Sequence, residues 1–492
     1  MATVAPPDFR KGNSRSQPSR HAANAREREF NLMETQATEQ STGRIALILV
    51  CTTSFITPLM LSGVNVAIPA IAADFHADAV LLSWIPTAYL LATAMFLLPA
   101  GRLGDLVGRK KMYVAGIAVM ALGSALAAAA GDIRFLLGCR VIQGLGTSLI
   151  ATSGIPMLVS IFPSRRRGSV VGMTTASVYF GLTGGPLIGG LCTHYLSWRA
   201  IFLIHIPVLL ILIGLTLKKL RGEWTGDTEQ RFDFGGAVIF AAGISSLIYG
   251  LSLLPAPRSA WLILLGLTLL VGFFQLEKRI RDPVLDVSLF FQNRLFLFSS
   301  LAALFLYSAS FGLSYLMSLY LQYIKGMSAN IAGMVLMSQP VMMATLSPFT
   351  GRLSDRIEPR LLASAGLILN MTGYFLLSLS GMDTHLIYII LCLFTTGIGF
   401  SLFSPPNINA ILGAVRREQL GIASGITSTM RVLGQMFSMA VITTIFAVNM
   451  GRVEITPKLY PILLHNVQVC LVIASGLAAV ALLCSLSRGD LH

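Results

Sequence analysis

Along most of this chain apolar residues come in long unbroken blocks, separated by short breaks rich in charge, Pro or Gly. Neither the two-residue alternation of a half-buried strand nor the one-sided stripe of a surface helix dominates. A block of about 20 apolar residues makes a helix long enough to cross the hydrocarbon of a bilayer. Fourteen such blocks can be drawn, the first at 45–69 and the last at 463–486. The pattern therefore predicts an all-α membrane protein with fourteen transmembrane helices. One block is anomalous: "GMTTASVYFGLTGGPLIGG", residues 172–190, carries no charge, yet six of its residues are Gly and one is Pro.

The blocks repeat. "GRLGD" at 101–105 returns as "GRLSD" at 351–355, an offset of 250. "GLGTSL" at 144–149 returns as "GIGFSL" at 397–402, and Gly168, Gly172 and Gly181 match Gly421, Gly425 and Gly434, all at an offset of 253. Eight blocks lie within that offset, an even number, so both copies cross the membrane in the same direction. This is the parallel repeat of transporters built from two like-oriented six-helix halves. The expected organisation is a disordered cytoplasmic tail over 1–43, an N-terminal six-helix bundle over 44–221, an inserted two-helix linker over 222–287 and a C-terminal six-helix bundle over 288–492.

Composition narrows the class. Hydrophobic residues make up 54% and charged residues 12% of the 492 positions, with a mean hydropathy of +0.73. Placing the 36 Lys and Arg on the fourteen-span map leaves Arg134, Arg199, Arg258, Lys325, Arg452 and Lys458 in one set of loops, and Arg140 and Arg431 within spans. All the others fall on the side of the N-terminus, which the positive-inside rule makes cytoplasmic. Both termini are expected inside, in the plasma (inner) membrane. The net charge of +14 then reflects topology and attraction to membrane lipids, with no nucleic-acid partner implied. Residues 1–43 lack a secretory-signal pattern, and Met33, close before the first span, stands beside Met1 as a candidate start.

The chemistry of enzymes and pumps is missing. No Lys is followed by Ser or Thr, so there is no GxxxxGK[ST] phosphate loop. No HExxH or GxSxG occurs, the seven His are scattered, and the six Cys lie in apolar runs without CxxC spacing. No catalytic residue, metal or cofactor is expected, and the partners are a small-molecule substrate, protons and lipids.

Several motifs resemble the major facilitator superfamily, and within it the fourteen-span drug:proton antiporter branch, over roughly residues 45–486. "GRLGDLVGRKK" (101–111) is similar to the signature loop between the second and third spans. The resemblance implies a cytoplasmic latch between halves, made by Gly101, Arg102, Asp105, Gly108, Arg109 and Lys110 with Asp355 in the second copy. "LLGCRVIQGLG" (136–146) resembles the fourth-span signature and makes Arg140 and Gln143 coupling candidates. Gly172, Gly181, Gly185, Pro186 and Gly189 reproduce the antiporter signature GxxxxxxxxGxxxGPxxG. Small residues at such spacings let another backbone approach closely, and Pro186 bends its helix, so the segment is read as a sliding, bending surface at the interface between halves. "MRVLGQ" (430–435) resembles the thirteenth-span segment and adds Arg431. Leu393 and Val178 stand at the repeat positions of Arg140 and Arg431, so charge is asymmetric where Gly is symmetric.

The chain departs from this branch at Met60, in "MLSGVNVAIP" (60–69), where relatives usually carry Asp. None of the 22 Asp and Glu falls near the centre of a span. A cation in a dry site needs an ionic partner, so neutral, weakly basic or anionic amphiphiles are favoured over dications. With no carboxylate near a span centre, His205 within a span and Asp105 at a cytoplasmic end are left as titrating candidates for coupling to protons. His205 lies about 10 Å deeper than Trp198 at 1.5 Å per residue, and either a pH-switching or a structural role fits it. Asn65, Tyr89, Gln339, Asn370, Asn407 and Gln435 are candidates to line a substrate cavity. The expected function is export of lipophilic or amphiphilic compounds by alternating access coupled to proton antiport; the alternative is a carrier with other coupling, exchanging or exporting an anionic or neutral metabolite.

Overall fold

The computed structural model describes residues 3, 20–220, 222–225, 233–278, 293–354, 356–415 and 420–489. Among them there is no strand, and thirteen helices are long and apolar enough to cross a membrane. In chain order they are α1 (Thr42–Phe75), α2 (Ala79–Val107), α3 (Arg109–Ala128), α4 (Ile133–Ile161), α6 (Arg199–Lys219), α7 (Phe234–Ser252) and α8 (Arg258–Glu277). After the linker come α9 (Arg294–Ile324), α10 (Ala329–Leu353), α11 (Pro359–Ser378), α12 (Leu386–Gly413), α13 (Gly425–Asn449) and α14 (Pro457–Ser487). The remaining expected span is α5 (Ser164–Tyr195), a 32-residue helix in which Gly, Ser and Thr dilute the apolar content. The α1 helix begins at Arg20, reaching back into the segment expected to be disordered.

The breaks that separate the blocks also cap the helices. Asp78 accepts from the Leu81 N–H at 2.8 Å, Asp132 from Arg134 and Phe135, Asp233 from Gly236 and Asn293 from Phe296. Each supplies an acceptor to an N–H that the first turn leaves unpaired. The turn from α2 to α3 is the single residue Gly108, at φ +117°, a conformation that residues with a Cβ rarely adopt.

Two bundles result. In the first, α5 packs on α1, α4 on α2 and α3, and α6 on α3. In the second, α13 packs on α9, α12 on α10 and α11, and α14 on α9 and α11. The repeated glycines make matching contacts in each. A Cβ at Gly146 would lie 2.8 Å from the Gly116 carbonyl oxygen, and one at Gly399 2.6 Å from that of Gly366. Gly144 rests on the Tyr89 carbonyl of α2 as Gly397 rests on the Gln339 carbonyl of α10, and Gly181 meets α1 as Gly434 meets α9. Van der Waals contact is what holds helices together in lipid, so removing a side chain at each crossing strengthens it. Between bundles, α5 meets α10, α2 meets α13 and α1 meets α9. The inserted α7–α8 pair lies along the α2–α13 seam, where Ser245 reaches the Met95 sulfur at 3.1 Å and Thr444 the Leu251 carbonyl at 3.4 Å.

Candidate functional site

The closest backbone contacts between the bundles lie at one end. At the end opposite the "GRLGD" loop, the Ala79 N–H donates to the Val453 carbonyl at 3.1 Å. The Gln322 amide donates to the Val66 carbonyl at 2.8 Å. Gln322 belongs to a π-helical last turn of α9, Tyr320–Ile324, an insertion that rotates side chains relative to the α-helix before it. A Cβ on Gly190 would lie 2.5 Å from the Ala329 carbonyl oxygen, and one on Gly333 would collide with that of Pro186. At the "GRLGD" end the repeat partners Gly172 and Gly425 have nothing within 4 Å of an added Cβ.

The antiporter-signature helix is divided by face. Gly181, Gly185 and Gly189 lie against α1, with a Cβ at Gly189 only 2.6 Å from Gly63 Cα, whereas Pro186 and Gly190 lie against α10. Three glycines thus fasten α5 inside its own bundle, and the Pro186 turn presents bare backbone to the other. Gly172 contacts neither.

The two membrane arginines differ in surroundings. Arg140 is fully buried. Its Nε donates to the Ile85 carbonyl at 3.1 Å, one terminal nitrogen donates to Gln143 Oε1 at 2.8 Å, and the guanidinium lies 4.6 Å from the Tyr89 ring centroid. Its other terminal nitrogen has no hydrogen-bond partner. Gln143 passes the network on to Ser124 at 3.0 Å and the Met60 sulfur at 3.7 Å, and Tyr89 bonds Thr147 at 2.8 Å. Ion pairs among the described residues include His76–Glu454, Arg109–Asp105 and Arg199–Asp74, and no carboxylate is seen paired with Arg140 or Arg431 among them. A thioether therefore stands in the Arg140 network, with no acid beside it. The second bundle has a polar cluster at the repeat-related place, Tyr374 with Ser310 at 2.9 Å and Asn370 at 3.1 Å, but no charge.

The signature loop is bound within its own bundle by the contacts seen. Asp105 and Arg109 pair at 2.9 Å, and Arg109 also donates to the Pro156 carbonyl and to Ser160. The Lys110 ammonium donates to the Leu220 carbonyl, and its N–H to Glu223. Gly108 faces the same Glu223, and a Cβ added to Gly101 would lie 3.8 Å from the Thr152 side chain. Asp355 lies outside the described residues.

The other candidates are held in different ways. His205 begins the second segment of α6 after a break at Ile204; its Nδ1 bonds the Ile201 carbonyl, and its buried Nε2 is unpartnered. Asn370 ties its own turn through Gly366. Asn407 donates to the Ser299 carbonyl at 3.0 Å and accepts from Arg488 at 2.8 Å. Asn65 is buried with an unpartnered Oδ1. Gln339 packs its backbone under Gly397, and both Gln339 and Gln435 are half-buried.

Three residues matter here that the sequence did not single out. Arg488 is buried just past α14, and burial pushes its pKa down to about 10, which leaves it protonated at neutral pH. Its position after the last apolar block made it look like a loop cation. Gln322 reaches Val66 through the π turn that carries it, a feature no sequence pattern marked. Tyr179 sits inside the antiporter signature yet buries its ring in the other bundle, among Leu306, Met343, Phe400 and Phe403. Its hydroxyl meets Ser404 at 2.9 Å. Only a tyrosine placed between signature glycines marked it.

A helical membrane protein of two repeated bundles, packed backbone to backbone at one end of their seam, is the architecture of a transporter. The chain belongs to the Major Facilitator Superfamily, whose family model matches residues 50–439 and 299–487. It is 30% identical over 411 residues to the riboflavin transporter RibZ of Clostridioides difficile, covering 82% of this chain and 88% of that one. It is 29% identical to the multidrug resistance protein Stp of Mycobacterium tuberculosis, over 78% of this chain and 72% of that one. In fold it resembles the crystal structure of a peptide transporter POT in complex with sulfate, with a TM-score of 0.66 and 14% identity over 90% of this chain and 96% of that one.

Proposed function

We propose that this transporter exports amphiphilic, drug-like small molecules from the cytoplasm by alternating access, driven by protons moving inward. The carrying observation is the asymmetric seam: the bundles are in backbone contact through Gly190, Gly333 and Pro186 at one end, whereas the signature glycines Gly172 and Gly425 near the other end have no neighbour within 4 Å of an added Cβ. With the basic loops inside, the tightly packed end faces outward, an arrangement that favours loading from the cytoplasm. Relatives named for multidrug resistance support the drug-like reading, and RibZ shows that a planar, uncharged vitamin lies within the range of near relatives. Two buried or half-buried arginines without a carboxylate disfavour permanent cations, because an unpaired charge taken out of water is costly.

Reconstitution into liposomes with an imposed pH gradient tests this directly. Neutral and acidic amphiphiles are expected to accumulate on the side that loses protons, and lipophilic dications are not. Accumulation of dications, with proton release, would overturn the charge argument. Accumulation that ignores the pH gradient would favour an exchanger.

For the proton carrier, His205 is the group assigned, because its buried Nε2 lacks a partner while Nδ1 is held by the Ile201 carbonyl. His205→Asn keeps a donor near that carbonyl and is expected to leave insertion intact while flattening the pH profile of transport. An unaltered profile would move the role to Asp105.

A further inference from the structure

At the end opposite the "GRLGD" loop, a cavity of about 120 Å³ opens where both bundles meet the inserted pair. Val80 of α2 lines it from the first bundle, Ala447 of α13 and Arg452 beyond it from the second, and Ser252 and Arg258 from the two sides of the α7–α8 turn. Val80, Ser252 and Ala447 are buried and close its floor, whereas Arg258 and Arg452 are exposed. No carboxylate lines the cavity, and none is seen paired with either guanidinium among the described residues. Glu454, the acid nearest to Arg452 in sequence, lies 3.8 Å from His76 instead. Two guanidinium groups on one small cavity repel each other, and an anion between them removes that cost. The depth of the cavity says which anion is at hand. Arg258 opens α8, and Trp261 follows three residues on, on the same side of the helix. Trp261 is 76% exposed, and Leu264 and Leu265 beyond it are exposed as well. A Trp at the end of such a lipid-facing helix marks the level of the headgroups.

We propose that this cavity binds the headgroup phosphate of an anionic phospholipid, and that the bound lipid braces the seam between the bundles. Arg258 and Arg452 hold the phosphate oxygens by charge-assisted hydrogen bonds, for which the planar guanidinium is well shaped. A zwitterionic lipid would bring its own ammonium against two guanidinium groups with no acid there to receive it. Anionic headgroups are therefore preferred. Val80 and Arg452 each adjoin one partner of the Ala79–Val453 bond between bundles. A phosphate held by Arg258 and Arg452 thus ties the inserted pair to the second bundle beside that bond, and favours the closed arrangement of this end. Neither the cargo nor its coupling enters the argument.

The test uses the full-length protein in nanodiscs of phosphatidylcholine with a trace of a phosphatidylglycerol analogue whose headgroup is photoreactive. Crosslinks are expected in the peptides spanning 252–261 and 447–452. Unlabelled phosphatidylglycerol at about a tenth of the lipid should suppress them about twofold, as a roughly tenfold preference from two basic residues at headgroup level requires. Inorganic phosphate should leave them in place. Arg258→Gln with Arg452→Gln should remove the crosslinks, Lys at both positions should keep part of them, and Arg134→Gln, at the same end outside the cavity, should change nothing. All three positions are exposed, so folding is little affected. Bracing is read from Asn330→Cys, beside Gly190 at this end. Its labelling by maleimide should fall severalfold when phosphatidylglycerol replaces phosphatidylcholine, and the double Gln variant should lose that difference. Crosslinks spread over every loop at this end, or unchanged in the double variant, would overturn the site. Suppression by inorganic phosphate as effective as by phosphatidylglycerol would overturn the assignment to a lipid. Expected crosslinks with labelling that ignores the lipid would leave the site standing and overturn the bracing.

Discussion

Gly333→Val is expected to abolish net transport while both bundles stay folded and inserted. Gly333 is on α10, and an added Cβ there would collide with the Pro186 carbonyl of α5, in the other bundle. A backbone carbonyl cannot swing aside as a long side chain can, so the bundles must separate at this end. Inside its own bundle Gly333 takes no part in the repeated glycine crossings, so the damage is confined to the seam. A bias of about 5.5 kcal/mol moves a two-state equilibrium from 99:1 to 1:99, and a steric overlap of this kind is large enough to displace most of the population. A cysteine introduced by Asn330→Cys, beside Gly190, reports the change. Labelling by a membrane-impermeant maleimide from outside should rise strongly in Gly333→Val relative to Gly333. Wild-type transport together with wild-type labelling would show that closure of this end does not require the bare backbone.

Arg140→Met is expected to lower transport by about two orders of magnitude without lowering thermal stability. Charge-assisted hydrogen bonds contribute roughly 1.5–3 kcal/mol each, and Arg140 makes two, to Ile85 and Gln143. Losing them where geometry matters for function readily exceeds the 2.7 kcal/mol or so that corresponds to a hundredfold change in rate. Stability follows a different balance. Taking an unpaired guanidinium out of water is costly, and replacing buried ions by apolar groups of similar volume is often neutral or favourable. Met fills the space and rejoins a cluster that already holds Met60 and Met120. A melting temperature that falls together with transport would assign Arg140 to structure alone, and retained transport would remove it from the mechanism.

The inserted pair α7–α8 bears on how far the bundles can move. Its first helix, α7, bridges α2 and α13. Its ties to the seam include the edge-on Trp84–Tyr249 ring pair, a hydroxyl–sulfur contact and one long hydroxyl–carbonyl bond. The outer face of α8 is apolar and exposed, with Trp261 at 76%, as expected of a helix that faces lipid.

The sequence by itself determined the class, the helices and the repeat. Apolar length sets a span, because lipid offers no partner for backbone N–H and C=O groups and only a helix satisfies them internally. The offsets of 250 and 253 determined the pairing of glycine crossings, because a crossing that close tolerates no Cβ in either copy. The lack of mid-span carboxylates was equally legible, since charge can be counted without coordinates.

What only the tertiary structure decided is which residues share a neighbourhood, because side chains far apart in the chain meet according to helix rotation and tilt. Six polar candidates looked alike as cavity lining; Asn407 proved to hold Arg488, and Asn370 to hold Tyr374. Arg140 and Arg431 looked alike as membrane cations, yet one is enclosed by its own bundle and the other is half-buried. Tyr179 itself was invisible beside the glycines around it, since its placement depends on α5 crossing from one bundle to the other. The chain's pattern sets what each helix is made of, and the packing of fourteen of them sets which few side chains can act together.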